Sequence, residues 1–239
     1  MLNAVLFDLD GTLIDSIPFI RLSFEHTFRQ LDLPWGNGEV LNTIGLPLRD
    51  VAEDYAPGNA ETFLAVYAEF QKETQDKLLK PFPETKKTLN HLQEKGYHIG
   101  VVTSKRRKAT RKSLDITELE KYLEVVVSVE DACKPKPNPD CLLAALQQIE
   151  VPPDETVYVG DSIYDILTGK NAGAATIGVT WGIAAKEDLK KQQPDFLVDS
   201  WEELRSAIDC LSKPNHGDGS FRVQSEVLRK KETQRSDYN

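Results

Sequence analysis

Five short runs rich in Val and Ile, at residues 4–7, 98–102, 125–129, 156–159 and 175–179, most narrow the folds open to this chain. They are too evenly apolar for strands with one wet face. Segments of helical period separate most of them. Near-continuous apolar strands joined by helical crossovers predict a parallel sheet covered on both faces, a doubly wound α/β core. The crossovers carry their own punctuation. Residues 83–95 place Leu89 and Leu92 at helical spacing, and Gly96 follows as a stop. Asn138-Pro139 precedes Leu142, Leu143, Leu146 and Ile149 as the start of another helix.

One interval is out of proportion. About ninety residues separate the first run from the second, where a crossover needs only a dozen or so. Residues 18–31 and 60–79 both have amphipathic helical spacing, the second with Phe63, Val66, Tyr67 and Phe70 on one face. No strand-like alternation lies between them, so an all-helical insertion is expected. Prolines near 15–18 and 80–83 mark its edges. The expected division is a discontinuous core, 1–15 and 81–211, a helical unit, 16–80, and a polar tail, 212–239. That tail has too few apolar residues to offset its ordering entropy and is expected to be mobile, with a short helix conceivable at 223–231.

Charge and cysteine content exclude some functions. Asp and Glu outnumber Lys and Arg 38 to 29, a net charge of −9, which argues against a nucleic-acid binder. The apolar runs fall far short of the ~20 residues that span a bilayer, and the first residues, MLNAVLFDLDG, lack the basic start of a signal peptide. Three cysteines, Cys133, Cys141 and Cys210, form no C-x-x-C pair. The expectation is a cytoplasmic protein with no disulfide framework, no zinc site, and neither nucleic acid nor membrane among its partners.

The acidic residues are not evenly spread. Asp8-Leu9-Asp10-Gly11-Thr12 follows the first strand, and Gly160-Asp161-Ser162-Ile163-Tyr164-Asp165 follows the fourth. A lone D-x-D is ordinarily an Asp-rich turn. Two such clusters at one end of a parallel sheet put four carboxylates in the crevice where these sheets bind ligands. They repel unless a cation intervenes, and a hard oxygen-bound dication, Mg²⁺ first, answers that. Thr103-Ser104 after the second strand offers a hydroxyl and backbone N–H groups to an anion. Lys134, in Lys134-Pro135-Lys136-Pro137-Asn138-Pro139, comes nearest the third strand's end. It is the expected ammonium, ahead of Lys136. A cation, hydroxyls and metal-bound carboxylates describe a phosphoryl-group site.

The segments DLDGT, VVTSK, CKPKPNP and GDSIYDILTGKNAG resemble, in order, the four motifs of the haloacid dehalogenase superfamily, and the likeness covers residues 4–210. The resemblance implies a Rossmann-like core whose first strand is central, flanked by the second and fourth. It also implies a C1-type helical cap like that of the phosphoglycolate phosphatase and β-phosphoglucomutase branch. Asp8 would then be the nucleophile that forms an aspartyl-phosphate. Asp10 would protonate the leaving oxygen and later deprotonate water. Thr103, Ser104 and Lys134 would hold the phosphoryl group. Asp8, the Asp10 carbonyl and Asp161 would bind Mg²⁺, with Asp165 orienting Lys134 or a metal-bound water. Asp10 also separates branches, since the superfamily's dehalogenases and phosphonatases lack it.

The substrate is read least directly. A small phosphorylated metabolite is expected, phosphoglycolate first. Inorganic pyrophosphate, sugar phosphates or nucleotides, and a β-phosphoglucomutase-like activity are the alternatives, with a monomer or weak homodimer as the assembly. Arg49, in a cap loop resembling the one that enters the active site, either binds a substrate anion or lies on the surface. Lys105 opens a run of six bases in eight residues, 105–112. That run is either a solvated helix start or a device that draws in anions. A non-catalytic member of the superfamily would be expected to lack Asp8, Asp10, Lys134 or Asp161, and all four are present.

Overall fold

The structure, a computed structural model, describes residues 1–213. Six strands form one sheet: β1 (Ala4–Phe7), β2 (His98–Val102), β3 (Val125–Val127), β4 (Thr156–Gly160), β5 (Ala175–Val179) and β6 (Phe196–Val198). Their order is β3-β2-β1-β4-β5-β6, and every pairing is parallel. This is the doubly wound order with β1 at the centre. Its topological switch point lies between β1 and β4, where such sheets bind ligands.

Alternation along the strands separates two apolar layers. Val5 and Phe7 point to the face covered by α4 (Thr85–Glu94), α5 (Arg107–Thr117) and α9 (Trp201–Leu211), whose Leu89, Leu92, Leu114, Leu204 and Ile208 join them in one core. Ala4 and Leu6 point to the other face, against Leu142, Ala145 and Leu146 of α6 (Asp140–Ile149). Full burial stabilises each such side chain by about 1.5–3 kcal/mol, so both layers are needed to hold so short a central strand. α7 (Ile163–Ala172) packs on β4 and β5, and α8 (Lys186–Lys191) leads to β6.

Between β1 and α4 stand only helices: α1 (Ile17–Gln30), a 3₁₀ turn (Glu39–Thr43), α2 (Leu48–Tyr55) and α3 (Ala60–Leu78). They close around their own aromatic core, in which Phe28 meets Phe63, Tyr55 and Trp35. No described helix is long and apolar enough to cross a membrane.

Two sequence expectations need correction. The third run stops as a strand at Val127, because the Asp131 carboxylate accepts from Ser128 N–H at 2.9 Å and starts a 3₁₀ turn over Val129–Asp131. β6 was not expected; three residues between two aspartates carry no periodic signal. The tail expectation lies outside the described residues from 214 onward.

Candidate active site

Asp8 follows β1 directly and extends its pairing, donating its N–H to the Val159 carbonyl at 2.9 Å. The chain then reverses: Leu13 and Ile14 N–H return to the Leu9 carbonyl, and Gly11 takes φ +80°. A Cβ at Gly11 would sit 2.3 Å from Asp161 Oδ2, so only glycine lets the turn pass beneath the carboxylate. Thr12 Oγ1 donates to Asp161 Oδ1 at 2.7 Å, tying the ends of β1 and β4 together.

Asp161 is held from a second side by the segment after β5. Ile183 N–H donates to its Oδ2 at 2.8 Å, Ala184 N–H donates to its backbone carbonyl, and the Trp181 indole N–H donates to the Thr12 carbonyl. A Cβ on the intervening Gly182 would lie 2.1 Å from Asp161 Oδ2. Sequence reasoning missed this loop, since nothing in its spacing marks it as a neighbour of Asp161.

Asp165 begins α7 as the partner of Ser162 in a capping box. Its Oδ2 accepts from Ser162 N–H and Oγ, at 3.0 and 2.6 Å. Its Oδ1 accepts from Lys136 Nζ at 2.7 Å and from the Tyr158 hydroxyl at 3.3 Å. With both oxygens so engaged, Asp165 serves to orient its neighbours.

The ammonium at the centre belongs to Lys136. Its side chain is 2% exposed, and Nζ lies 2.8 Å from Asp8 Oδ1 and 5.2 Å from the centre of the Tyr158 ring. Lys134, expected in that place, is exposed and makes no ion pair in the described structure. The two lysines share a side in an extended chain, so spacing alone does not separate them. A turn at Pro135–Asn138 (both Asn138 N–H and its side-chain amide donate to the Pro135 carbonyl) leaves Lys136 buried.

Oxygens of Asp8, Asp161 and Asp165 lie within 4.8 Å of one another, with one ammonium among them. Two negative charges therefore remain uncompensated in a buried place. Burial, reinforced by Asp165 and Asp10 against the opposing pull of Lys136, pushes the Asp8 carboxyl up to about 7. Burial and repulsion from Asp8 and Asp165 raise that of Asp161 well above its ordinary range. Burial acts to lower the Lys136 ammonium, but the charges of Asp165 and Asp8 hold it well above the usual lysine range. A hard dication bound through oxygen fits this donor set and removes the imbalance.

Thr103 and Ser104 follow β2 and line the same cavity as Asp8. Thr103 is buried and accepts the Lys105 N–H at 3.2 Å, and the Ser104 hydroxyl is buried with no partner. Lys105 Nζ lies 2.9 and 3.0 Å from the two oxygens of Asp10. Above these groups is a cavity of about 170 Å³, floored by Asp8, Asp10, Thr103, Ser104, Lys105 and Asp161 and roofed by cap residues. The roof is mostly apolar, with Phe24, Leu46, Leu48 and Leu64; Thr43, Tyr67 and Gln71 supply its polar groups.

Arg49 does not line this cavity. Its side chain is 52% exposed and pairs with Glu61 at 2.8 Å. Leu48 and Val51, one turn apart on α2, face the cavity, and the ~100° step to the next residue turns Arg49 outward. The alternative of a surface arginine is the one observed.

The chain resembles known proteins over nearly all of its described length. The family model for haloacid dehalogenase-like hydrolase matches residues 5–179. A protein of Anoxybacillus flavithermus called pyrophosphatase PpaX is 36% identical over 213 residues, covering 89% of this chain and 99% of the relative. Its namesake from Bacillus pumilus is 36% identical over 208 residues, 87% and 96% of the two chains. The crystal structure of a predicted phosphatase from Clostridium acetobutylicum superposes with a TM-score of 0.78 at 26% identity, covering 87% of this chain and 98% of that one.

Proposed function

The chain belongs to the haloacid dehalogenase-like hydrolases, as one of that family's phosphatases, and on this footing we propose that it transfers a phosphoryl group from a small substrate to Asp8 and then to water. The observation that carries the reading is the buried Asp8–Lys136–Asp165 arrangement at the end of the central strand, with Asp161 across it and two unpartnered charges to neutralise. Asp8, Asp161 and the Asp10 carbonyl would hold Mg²⁺. Bound there, the ion offsets the repulsion between these carboxylates and a phosphate dianion.

Asp8 Oδ2, the oxygen not engaged by Lys136, is the nucleophile; its bond to phosphorus forms as the bond to the leaving oxygen breaks. Lys136 fixes the Asp8 carboxylate and offsets its charge. The Thr103 and Ser104 hydroxyls donate to phosphoryl oxygens, Ser104 having no other partner. Asp10, at the cavity's floor, gives a proton to the leaving oxygen and afterwards takes one from the water that releases phosphate and restores Asp8.

Inorganic pyrophosphate is the favoured substrate, ahead of phosphoglycolate. The pyrophosphatase-named relatives align over nearly the whole described chain. A cavity of about 170 Å³ is below the ~300 Å³ at which pockets for drug-sized ligands begin, which disfavours nucleotides. Its mostly apolar roof offers little to a hydroxyl-rich hexose. A second anionic group would meet Arg106, from the core. In a Mg²⁺-dependent phosphate-release panel, kcat/KM for pyrophosphate is expected to exceed that for hexose phosphates and nucleotides by about tenfold or more. A reversed ranking would overturn the substrate assignment, and no Mg²⁺-dependent release from any phosphate would overturn the function.

The loop behind Asp161 supplies a further test. Gly182→Ala is expected to weaken Mg²⁺ binding by about tenfold to a hundredfold, because Asp161 must move to admit the methyl group. Calorimetric titration with Mg²⁺ measures it, and an unchanged affinity would show that Asp161 is not a ligand or that the loop yields freely.

A further inference from the structure

Six bases at the start of α5 are unfavourable to the helix dipole, and the structure disperses them. Arg106 and Arg107 pair with Glu130 and Asp131, and Lys112 pairs with Asp76 of the cap helix α3. Of the six, Lys105 and Arg106 line the cavity, and Lys105 alone pairs with an active-site carboxylate. Its side chain is 11% exposed, and the carboxylate it grips is 15% exposed.

The grip has two ends. Lys105 Nζ meets both oxygens of Asp10, and its own N–H donates to Thr103 Oγ1 at 3.2 Å. Its carbonyl accepts from Val129 N–H at 3.3 Å and is thereby anchored to the segment after β3. Asp10 sits in a tight reversal, and among the described residues no other group donates a hydrogen bond to its carboxylate. Asp8 lies two residues away and would repel an unheld carboxylate. One residue therefore sets where Asp10 stands relative to the hydroxyl that receives a phosphoryl oxygen.

We propose that Lys105 is a positioning residue, holding the Asp10 carboxylate over the leaving oxygen and the attacking water, and is not a collector of anionic substrate. The inference rests on the phosphatase reading above. A misplacement of about 1 Å in a group that moves protons in the transition state can cost about 100-fold in rate, whereas loss of a steering charge acts on binding.

The test uses the full chain, Mg²⁺ and ³²P-labelled p-nitrophenyl phosphate, whose leaving group departs without a proton. Lys105→Met should lower kcat and KM together, by up to about 100-fold with kcat/KM within about threefold, and Lys105→Arg should recover much of the loss. Because only the water step then needs Asp10, acid quenching should trap a larger fraction of Lys105→Met than of wild type as protein-bound phosphate. A raised KM with kcat unchanged, both unchanged, or a lowered kcat with no increase in trapped label would each overturn the proposal. If Lys105→Met does not fold, judged by its circular dichroism melt, Lys105→Arg decides by the same KM and kcat division. Asp8→Asn separates the two levels: label trapped on that variant contradicts Asp8 as the nucleophile and leaves the kinetic division to judge Lys105.

Discussion

An Asp8→Asn protein is expected to lose turnover by about 10⁴-fold or more and yet, without metal at pH 8, to melt at a higher temperature than the wild type. The two effects have one cause. Burial and the neighbouring carboxylates push the Asp8 carboxyl up to about 7, whereas in the unfolded chain it titrates near 4. Between these values the folded state keeps a proton that the unfolded state has released. Stability therefore falls as pH rises through about 4 to 7, and the full penalty persists above. Asparagine can still accept from Lys136 and carries no charge, so it escapes the penalty. The advantage should be on the order of 1–3 kcal/mol at pH 8, absent near pH 4, and reduced when Mg²⁺ stabilises the wild type. Calorimetric melts in chelator at pH 4.5 and 8 measure it, beside a phosphate-release assay. A variant no more stable at pH 8 would mean that the carboxylate cluster is not strained.

The second large effect divides two neighbouring lysines. Lys136→Met leaves Asp8 and Asp165 buried without their ammonium, a loss that costs about 3–5 kcal/mol when one partner of a buried pair is removed. Turnover should fall about 10³-fold, since the charge beside the attacked phosphate goes with it. Lys134→Met, on the exposed side of the same segment, should change stability by less than about 0.5 kcal/mol and leave turnover intact. Urea unfolding and initial rates on both variants test the pair. The opposite pattern would return the central role to Lys134.

Most of the fold was legible because its signals are local. The β-branched runs are apolar on both faces, which only a covered parallel sheet satisfies, and Asp8 and Asp161 stand immediately after such runs. The helical insertion was legible from its length and from the spacing of Phe63, Tyr67 and Phe70. What escaped depends on rotations and turns that residue types hardly encode. Lys134 and Lys136 are chemically identical, and a turn at Pro135–Asn138 chooses between them. Arg49 is turned from the cavity by a single residue's rotation on α2. Gly182 matters because the loop after β5 folds back onto β4, a contact between segments some twenty residues apart in sequence. Lys105 was singled out as nearest the strand end, but its partner is a carboxylate ninety-five residues earlier.

The position of β1 has a bearing on how the molecule is assembled. Ala4 pairs with His98 on one side and with Thr156 on the other, so the strand is synthesised long before either neighbour. The cap helices, whose contacts are local, can collapse while β1 still waits. Pairings of such long sequence separation make folding slow and leave apolar edges open to other chains in the meantime. The placement that gathers residues from both halves of the chain around Asp8 thus also leaves the central strand exposed to misassembly during synthesis.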